Sequence, residues 1–157
     1  MIKIEQCSII VLLIMSAEIF CVKNTTDNLI VSIKSTEKKE DTTQIKWELV
    51  LDNAVIGKAT ATLNMREKSS YLALLKIKKN YRGQKHGSHL LETIKQQIFT
   101  WHINDIMVLA TSLILNKQNE EKTLKQEQED DKRVLRFYQN NGFEILCGNM
   151  LVCRKSD

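Results

Sequence analysis

The sequence predicts a mixed α/β fold, and three observations carry that prediction. Ile45, Trp47, Leu49 and Leu51 alternate with Lys46 and Glu48 at the period of two expected of a half-buried strand. Leu90, Leu91, Ile94, Ile98 and Trp101 recur at helical spacing, with Glu92, Lys95 and Gln96 facing outward. The apolar strand Tyr71–Ile77 runs through a short glycine-containing turn into that helix, and Ile103–Ala110 follows as another strand. A strand–helix–strand unit implies at least one parallel pair in the sheet.

With 157 residues, the chain suffices for one domain and one modest core. Hydrophobic residues make up 43% and charged residues 27%, a globular rather than a disordered composition. The net charge of +4 is scattered, with Lys and Arg often beside Glu and Asp. A nucleic-acid interface concentrates such charge into a stripe with interleaved aromatics, so a specific nucleic-acid partner is not expected. There is no proline, so strand ends and loops are set by Gly, Asn, Asp and other polar residues.

The elements follow in order. Asn28–Ile33 is β-branched and apolar and reads as a strand, and Ser35–Thr43 is polar and reads as a loop. Ile45–Leu51 and Val55–Leu63 flank the turn signal Asp52-Asn53 and form a hairpin, with Gly57 marking a bulge. Asn64–Ser69 is a loop before Tyr71–Ile77, and the helix runs from Ser88 to Trp101. After Ile103–Ala110, Lys117–Lys132 is almost wholly Gln, Glu, Lys and Asp, with Leu124 as its core-forming residue. It reads as a low-complexity polar insert, a disordered loop or a lid, with bounds near 116–131. Val134–Tyr138 leads a short helix that stops at Asn140-Asn141-Gly142. Phe143–Cys147 and Met150–Arg154 turn about Gly148-Asn149, which places Cys147 opposite Met150 and Glu144 opposite Cys153. The order is β-β-β-β-α-β-α-β-β.

The first 22 residues stand apart. A basic start with Lys3, an apolar run Cys7–Met15 and the polar Lys23-Asn24-Thr25-Thr26 resemble a signal peptide, although no Ala-x-Ala cleavage site is present. The apolar run is short of the about 20 residues of a membrane span. Three readings fit: an exported chain, an uncleaved membrane anchor, or an element packed on a cytoplasmic domain. Of the four cysteines, Cys147 and Cys153 fall in the domain, with no C-x-x-C spacing and no nearby His, so no zinc site or disulfide framework is expected.

The chemistry concentrates between Ile77 and Leu90. A helix start presents unpaired N–H groups and the positive end of the helix dipole, both suited to phosphate. Gly83 and Gly87 allow close backbone approach, and Arg82, Lys85 and His86 add charge. The G-x-x-x-x-G-K-[ST] spacing of a Walker loop is missing.

Leu75–Leu91 resembles the central motif of the GNAT superfamily of N-acetyltransferases, a strand, then R/Q-x-x-G-x-G/A, then a helix. Arg82 takes the first position and Gly87 the last, while Lys85 replaces the middle Gly. Arg136-Phe137-Tyr138-Gln139-Asn140-Asn141-Gly142-Phe143 resembles the family's F-Y-x-x-x-G-F helix end. The resemblance covers about 28–155 and implies a GNAT-like mixed central sheet. It is a reduced form, because Lys34–Gln44 leaves no room for the usual two helices after the first strand.

The resemblance implies acetyl-CoA as cosubstrate and an amine-bearing acceptor, a small molecule or a protein. It implies that Ile77, Lys78 and Lys79 present backbone groups to the pantetheine arm. Arg82, Gly83, Gln84, Lys85, His86 and Gly87 would cradle the pyrophosphate, with Ser88 starting the helix. Tyr138 would protonate the departing thiolate. Ser70-Tyr71-Leu72-Ala73-Leu74 offers no carboxylate as general base; Glu48, on a neighbouring strand, is a candidate substitute. The alternatives are a non-catalytic acyl-CoA-binding or protein-interaction domain on the same scaffold, and a secreted effector that modifies a host protein.

Overall fold

The computed structural model describes residues 28–110 and 124–155. Seven strands form one sheet: β1 (Leu29–Lys39), β2 (Thr42–Leu51), β3 (Ala54–Asn64), β4 (Ser69–Ile77), β5 (Asp105–Leu109), β6 (Glu144–Cys147) and β7 (Met150–Arg154). The spatial order is β1-β2-β3-β4-β5-β7-β6, and β4–β5 is the parallel pair that the sequence requires. Helix α1 (His86–Thr100) joins those two strands, and α2 (Leu124–Asn140) precedes β6. The α/β class and the order of elements agree with the sequence reading. The apolar segment 1–22 and residues 116–123 of the polar insert lie outside the described residues. No helix among the described residues is long and apolar enough to cross a membrane.

One face of the sheet is the core. Val31, Trp47, Leu49, Ala59, Ala61 and Leu72 are buried on it, and α1 lays Leu90, Leu91, Ile94 and Ile98 against them. Full burial of each such side chain contributes about 2 kcal/mol. Trp47 fixes the docking: its Nε1–H donates to Gln97 Oε1 at 2.7 Å, and its ring stacks on Trp101 with centroids 6.5 Å apart.

The turns follow their residues. Asp52 and Asn53 both take positive φ, 48° and 65°, as a two-residue turn of the I′ type demands. Asn64 Oδ1 accepts from the N–H groups of Arg66 and Glu67, both at 3.1 Å, and so shapes the turn into β4. At Gly57 the expected bulge is present: Leu49 pairs with Gly57 and Val50 with Val55, which leaves Ile56 as the extra residue. A Cβ at Gly57 would stand 2.6 Å from Ile77 Cδ1.

Three expectations need correction. Ser35–Thr43 is not a loop: β1 continues to Lys39 and β2 begins at Thr42, a hairpin held by the ladder and by Lys46 Nζ–Glu37 Oε1 at 3.1 Å. Those residues are mostly exposed, so they carry no apolar alternation to be read. The second helix begins at Leu124 rather than Val134, so the C-terminal part of the polar stretch is helical. Cys147 pairs with Met150 as expected, but a register shift between Ile145 and Cys147 sets Glu144 opposite Val152 instead of Cys153.

Candidate active site at the β4–β5 fork

The two parallel strands pair over four residues only, Ser69–Leu72 against Asp105–Val108. In β4 the next residue, Ala73, is a bulge, since Thr60 pairs with Leu74 and Ala61 with Leu72. Beyond it β5 has no further rungs with β4 and pairs only with β7, through Leu109 and Met150. Among the described residues, the second half of β4 therefore has an unpaired edge on the β5 side. Lys78 N–H donates to Ile56 O on β3 at 2.8 Å. Strand amides alternate in direction, so the N–H and C=O of Leu75 and Ile77 point the opposite way, into the fork.

The chain leaves β4 through a short 3₁₀ turn, Lys79–Tyr81, in which Tyr81 N–H donates to Lys78 O at 2.9 Å. Arg82 folds back and its Nε donates to Ile77 O at 3.0 Å. Gly83 takes φ 80°, and Lys85 takes φ 61°, ψ 3°, the left-handed region that glycine enters freely and lysine only with strain. Lys85 thus takes a backbone conformation that glycine adopts more readily, at the position where the motif has glycine, and its exposed side chain adds a cation at the helix start. No side chain caps α1, and no acidic residue stands in its first turn. Its first N–H groups, on His86, Gly87 and Ser88, have no intrahelical carbonyl to bond.

Of the residues expected to hold the cofactor, the structure gathers Ile77, Lys79, Arg82, Gly83, Gln84, Lys85, His86, Gly87 and Ser88 along this one turn. Lys78 differs: its N–H serves β3 and its C=O serves the 3₁₀ turn. Leu75 offers the alternating strand position, which the sequence reading missed because the departure of β5 leaves no mark on residue type. Lys76, Lys78, Lys79, Arg82 and Lys85 are exposed and join no ion pair among the described residues. His86 Nε2 lies 3.1 Å from Gln84 Oε1, and its ring is 6.4 Å from that of Tyr81. His89, one turn into the helix, has its pKa lowered by burial and then by His86, and its Nε2 is buried without a partner among the described residues.

Helix α2 closes the site from the other side. A Cβ on Gly87 would lie 3.4 Å from Phe137 Cε2 and 3.6 Å from Ile77 Cγ1, so α2 meets the phosphate turn at this glycine. The F-Y-x-x-x-G-F pattern is a helix stop in physical terms. Gly142, at φ 84°, donates N–H to Gln139 O at 3.1 Å, and Phe143 N–H reaches Tyr138 O at 3.1 Å, which is a Schellman motif. Phe143 packs edge-on against Tyr138 with centroids 5.3 Å apart, and Phe137 does so at 5.2 Å. The Tyr138 ring is thereby held in the core with the residue 6% exposed. Its hydroxyl has no hydrogen-bond partner among the described residues and still reaches solvent. Burial, and secondarily the electrostatic influence of Tyr71, push its pKa up to about 12.

Glu48 is not brought to the fork. It lies on β2, with β3 between it and β4, and its carboxylate is 3.4 Å from Lys58 Nζ and 3.8 Å from Lys34 Nζ. Cys153 is buried, which pushes its thiol up, and Cys147 is exposed; neither forms a disulfide.

The sequence pattern described as the acetyltransferase (GNAT) family matches residues 20–143. No curated protein matches the chain. In structure the chain is similar to PaiA N-acetyltransferase from Thermoplasma acidophilum in complex with coenzyme A, at 16% identity, covering 71% of this chain and 61% of that one, with a TM-score of 0.54. It is also similar to a GNAT family acetyltransferase from Elizabethkingia anophelis with acetyl-CoA bound, at 11% identity, 71% and 76% coverage and a TM-score of 0.54. Tetrahymena GCN5 is matched at 12% identity over 74% of this chain and 69% of that one, with a TM-score of 0.52. Identities this low show a shared fold.

Proposed function

This chain belongs to the acetyltransferase (GNAT) family, and from that premise we propose that it binds acetyl-CoA at the β4–β5 fork and transfers the acetyl group to an amine. The observation that carries the reading is the continuity of the unpaired β4 edge with an uncapped, cation-rich helix start. The amides of a pantetheine arm complete a strand edge at Leu75 and at the N–H of Ile77, whose carbonyl already accepts from Arg82, as an added strand would. The N–H groups of His86, Gly87 and Ser88 face the pyrophosphate, and Arg82 and Lys85 compensate its charge.

Tyr138 is the donor to the departing thiolate. A phenol near 12 is a weaker acid than a thiol of ordinary pKa near 8.5, so it stays neutral at working pH. Its part is to hydrogen-bond the sulfur as charge develops there and to release its proton only as another arrives.

A second reading is an acyl-CoA-binding domain without turnover. It is favoured by the strained Lys85 in place of glycine and by the engagement of Glu48 with Lys34 and Lys58. Calorimetry of the full chain with acetyl-CoA, followed by thiol release with a panel of small amines and peptides, decides between them. Binding with thiol release supports transfer. Binding with no release for any amine supports the second reading, and no binding removes both.

A further inference from the structure

One row of side chains crosses the sheet on the face opposite the core. Ser32, Glu48, Lys58 and Lys76 are register partners in turn from β1 to β4. Their strand neighbours Val31, Trp47, Leu49, Ala59 and Ile77 are buried in the core, so by alternation the row looks the other way. Lys34, at the β1 bulge, reaches the same row: its Nζ is 3.8 Å from the Glu48 carboxylate, and Lys58 Nζ is 3.4 Å from it. One carboxylate thus serves two lysines. Lys76 joins no ion pair among the described residues, yet it stands directly opposite Lys58. Like charges facing each other across a ladder oppose folding, so this pair adds nothing to the stability of the sheet. Three lysines against one glutamate leave the row with an excess of positive charge, a surface complementary to an anion.

A second feature lies on the same face, across the fork. Tyr71 and Leu109 are 38% and 43% exposed. Tyr71 pairs with Met107 and Leu109 with Met150, and the neighbours Leu72, Ile106, Val108 and Leu151 are buried in the core. The four therefore form an apolar platform on the open face. Between platform and lysines lies Ala73, where the strands part. A pantetheine arm that leaves the helix turn and passes Ile77 and then Leu75 brings its thioester to that point. Leu72 and the α1 side chains fill the core face, so an amine arrives from the open one.

We infer that the acceptor is the N-terminal α-amine of a peptide with a large apolar first residue and a carboxylate about three residues further on. The inference rests on the transfer reading above. The first side chain branches from the carbon that bears the amine and so meets Tyr71 and Leu109. The ε-amine of a lysine, at the end of an unbranched stem, offers no such group. Lys76 is three residues from Ala73 along β4, and an extended chain rises about 3.3 Å per residue. A peptide laid along the strand therefore brings its fourth residue to Lys76 and Lys58, about 10 Å from the amine. A free amino acid holds its amine and carboxylate too close together to reach both places. In the step, the C–N bond forms as the C–S bond breaks. Tyr138 gives its proton to sulfur, and the proton lost by nitrogen returns to Tyr138 through the solvent that its hydroxyl reaches.

The experiment uses the full chain, acetyl-CoA and short peptides that begin with leucine and carry glutamate, glutamine or lysine as the fourth residue. The glutamate peptide is expected to react with kcat/KM about fivefold above the glutamine peptide, the scale of one exposed ion pair, and the lysine peptide to fall below both. Lys76→Gln should abolish that order and Lys76→Glu should reverse it. Lys76→Glu also sets a carboxylate opposite Lys58, so its urea midpoint should be equal or higher, which separates lost selectivity from lost fold. No preference among the three peptides, or an order unchanged in both variants, overturns the inference and leaves the transfer reading in place. So does equal or faster reaction of a glycine-first peptide, of an N-terminally blocked peptide with an internal lysine, or of small amines alone. Absence of thiol release with every amine removes the transfer reading itself.

Discussion

Arg82 Nε donates to the carbonyl oxygen of Ile77 at 3.0 Å, and this bond ties the end of β4 to the loop that starts α1. The guanidinium spends one N–H on the strand and keeps its two terminal nitrogens for an anion, a division that a lysine cannot reproduce. Arg82→Lys is therefore expected to weaken acetyl-CoA binding by about tenfold or more, the scale of one lost charge-assisted hydrogen bond. Calorimetry reads the affinity, and thermal unfolding separates it from any loss of fold stability.

Lys85 joins two effects that substitution can part. Its left-handed backbone costs about 1–2 kcal/mol for a residue with a Cβ, while glycine in its place adds about 0.5–1 kcal/mol of chain entropy to be lost on folding. Lys85→Gly should leave the ligand-free protein equally stable or more stable, by up to about 1 kcal/mol, in urea denaturation. The same change removes a cation from the helix start, so affinity for acetyl-CoA should fall at low ionic strength. That loss should shrink at high salt, where exposed charges are screened. Weaker folding of the glycine variant would show that the lysine side chain is held by more than its backbone position.

Gly142 is the hinge of the Schellman motif that seats Tyr138. Its φ of 84° admits an alanine only with strain, of about 1–2 kcal/mol. Gly142→Ala should lower the urea midpoint accordingly. If relaxation of the turn also draws Phe143 away from Tyr138, kcat should fall more than the affinity for acetyl-CoA. Steady-state kinetics beside calorimetry checks that split.

Much of this arrangement can be read from residue types because burial imposes a period on them. Ile45, Trp47 and Leu49 alternate because one face of β2 is closed by α1, and Leu90, Leu91, Ile94 and Ile98 recur because one face of α1 closes it. Gly142 announces the end of α2 because few residues accept its φ. The misses share the converse cause. Residues 35–43 lie mainly outside the core, so their hairpin is held by backbone pairing that leaves no side-chain pattern. The first turns of α2 are built from good helix formers without an apolar stripe, and Lys132 and Arg133 are exposed. The fork itself arises where two backbones part at Ala73, and nothing in an alanine between two leucines declares it.

Stability should decline at both ends of the pH range, for opposite reasons. The folded pKa of Tyr138 is raised from 10.0 to about 12, so the folded state holds a proton that the unfolded chain has already released. Its contribution is complete below about pH 10 and disappears as pH rises through about 12, a loss of order 2–3 kcal/mol. His89 has a folded pKa below 6.5, so the unfolded chain takes up its proton first and stability falls as pH drops below that value. Urea denaturation from pH 5 to pH 12 reads both limbs. Tyr138→Phe should flatten the alkaline limb and leave the acid one, while His89→Gln should do the reverse. An alkaline limb unchanged in Tyr138→Phe would place the controlling ionisation elsewhere and remove the argument that burial keeps the Tyr138 phenol neutral.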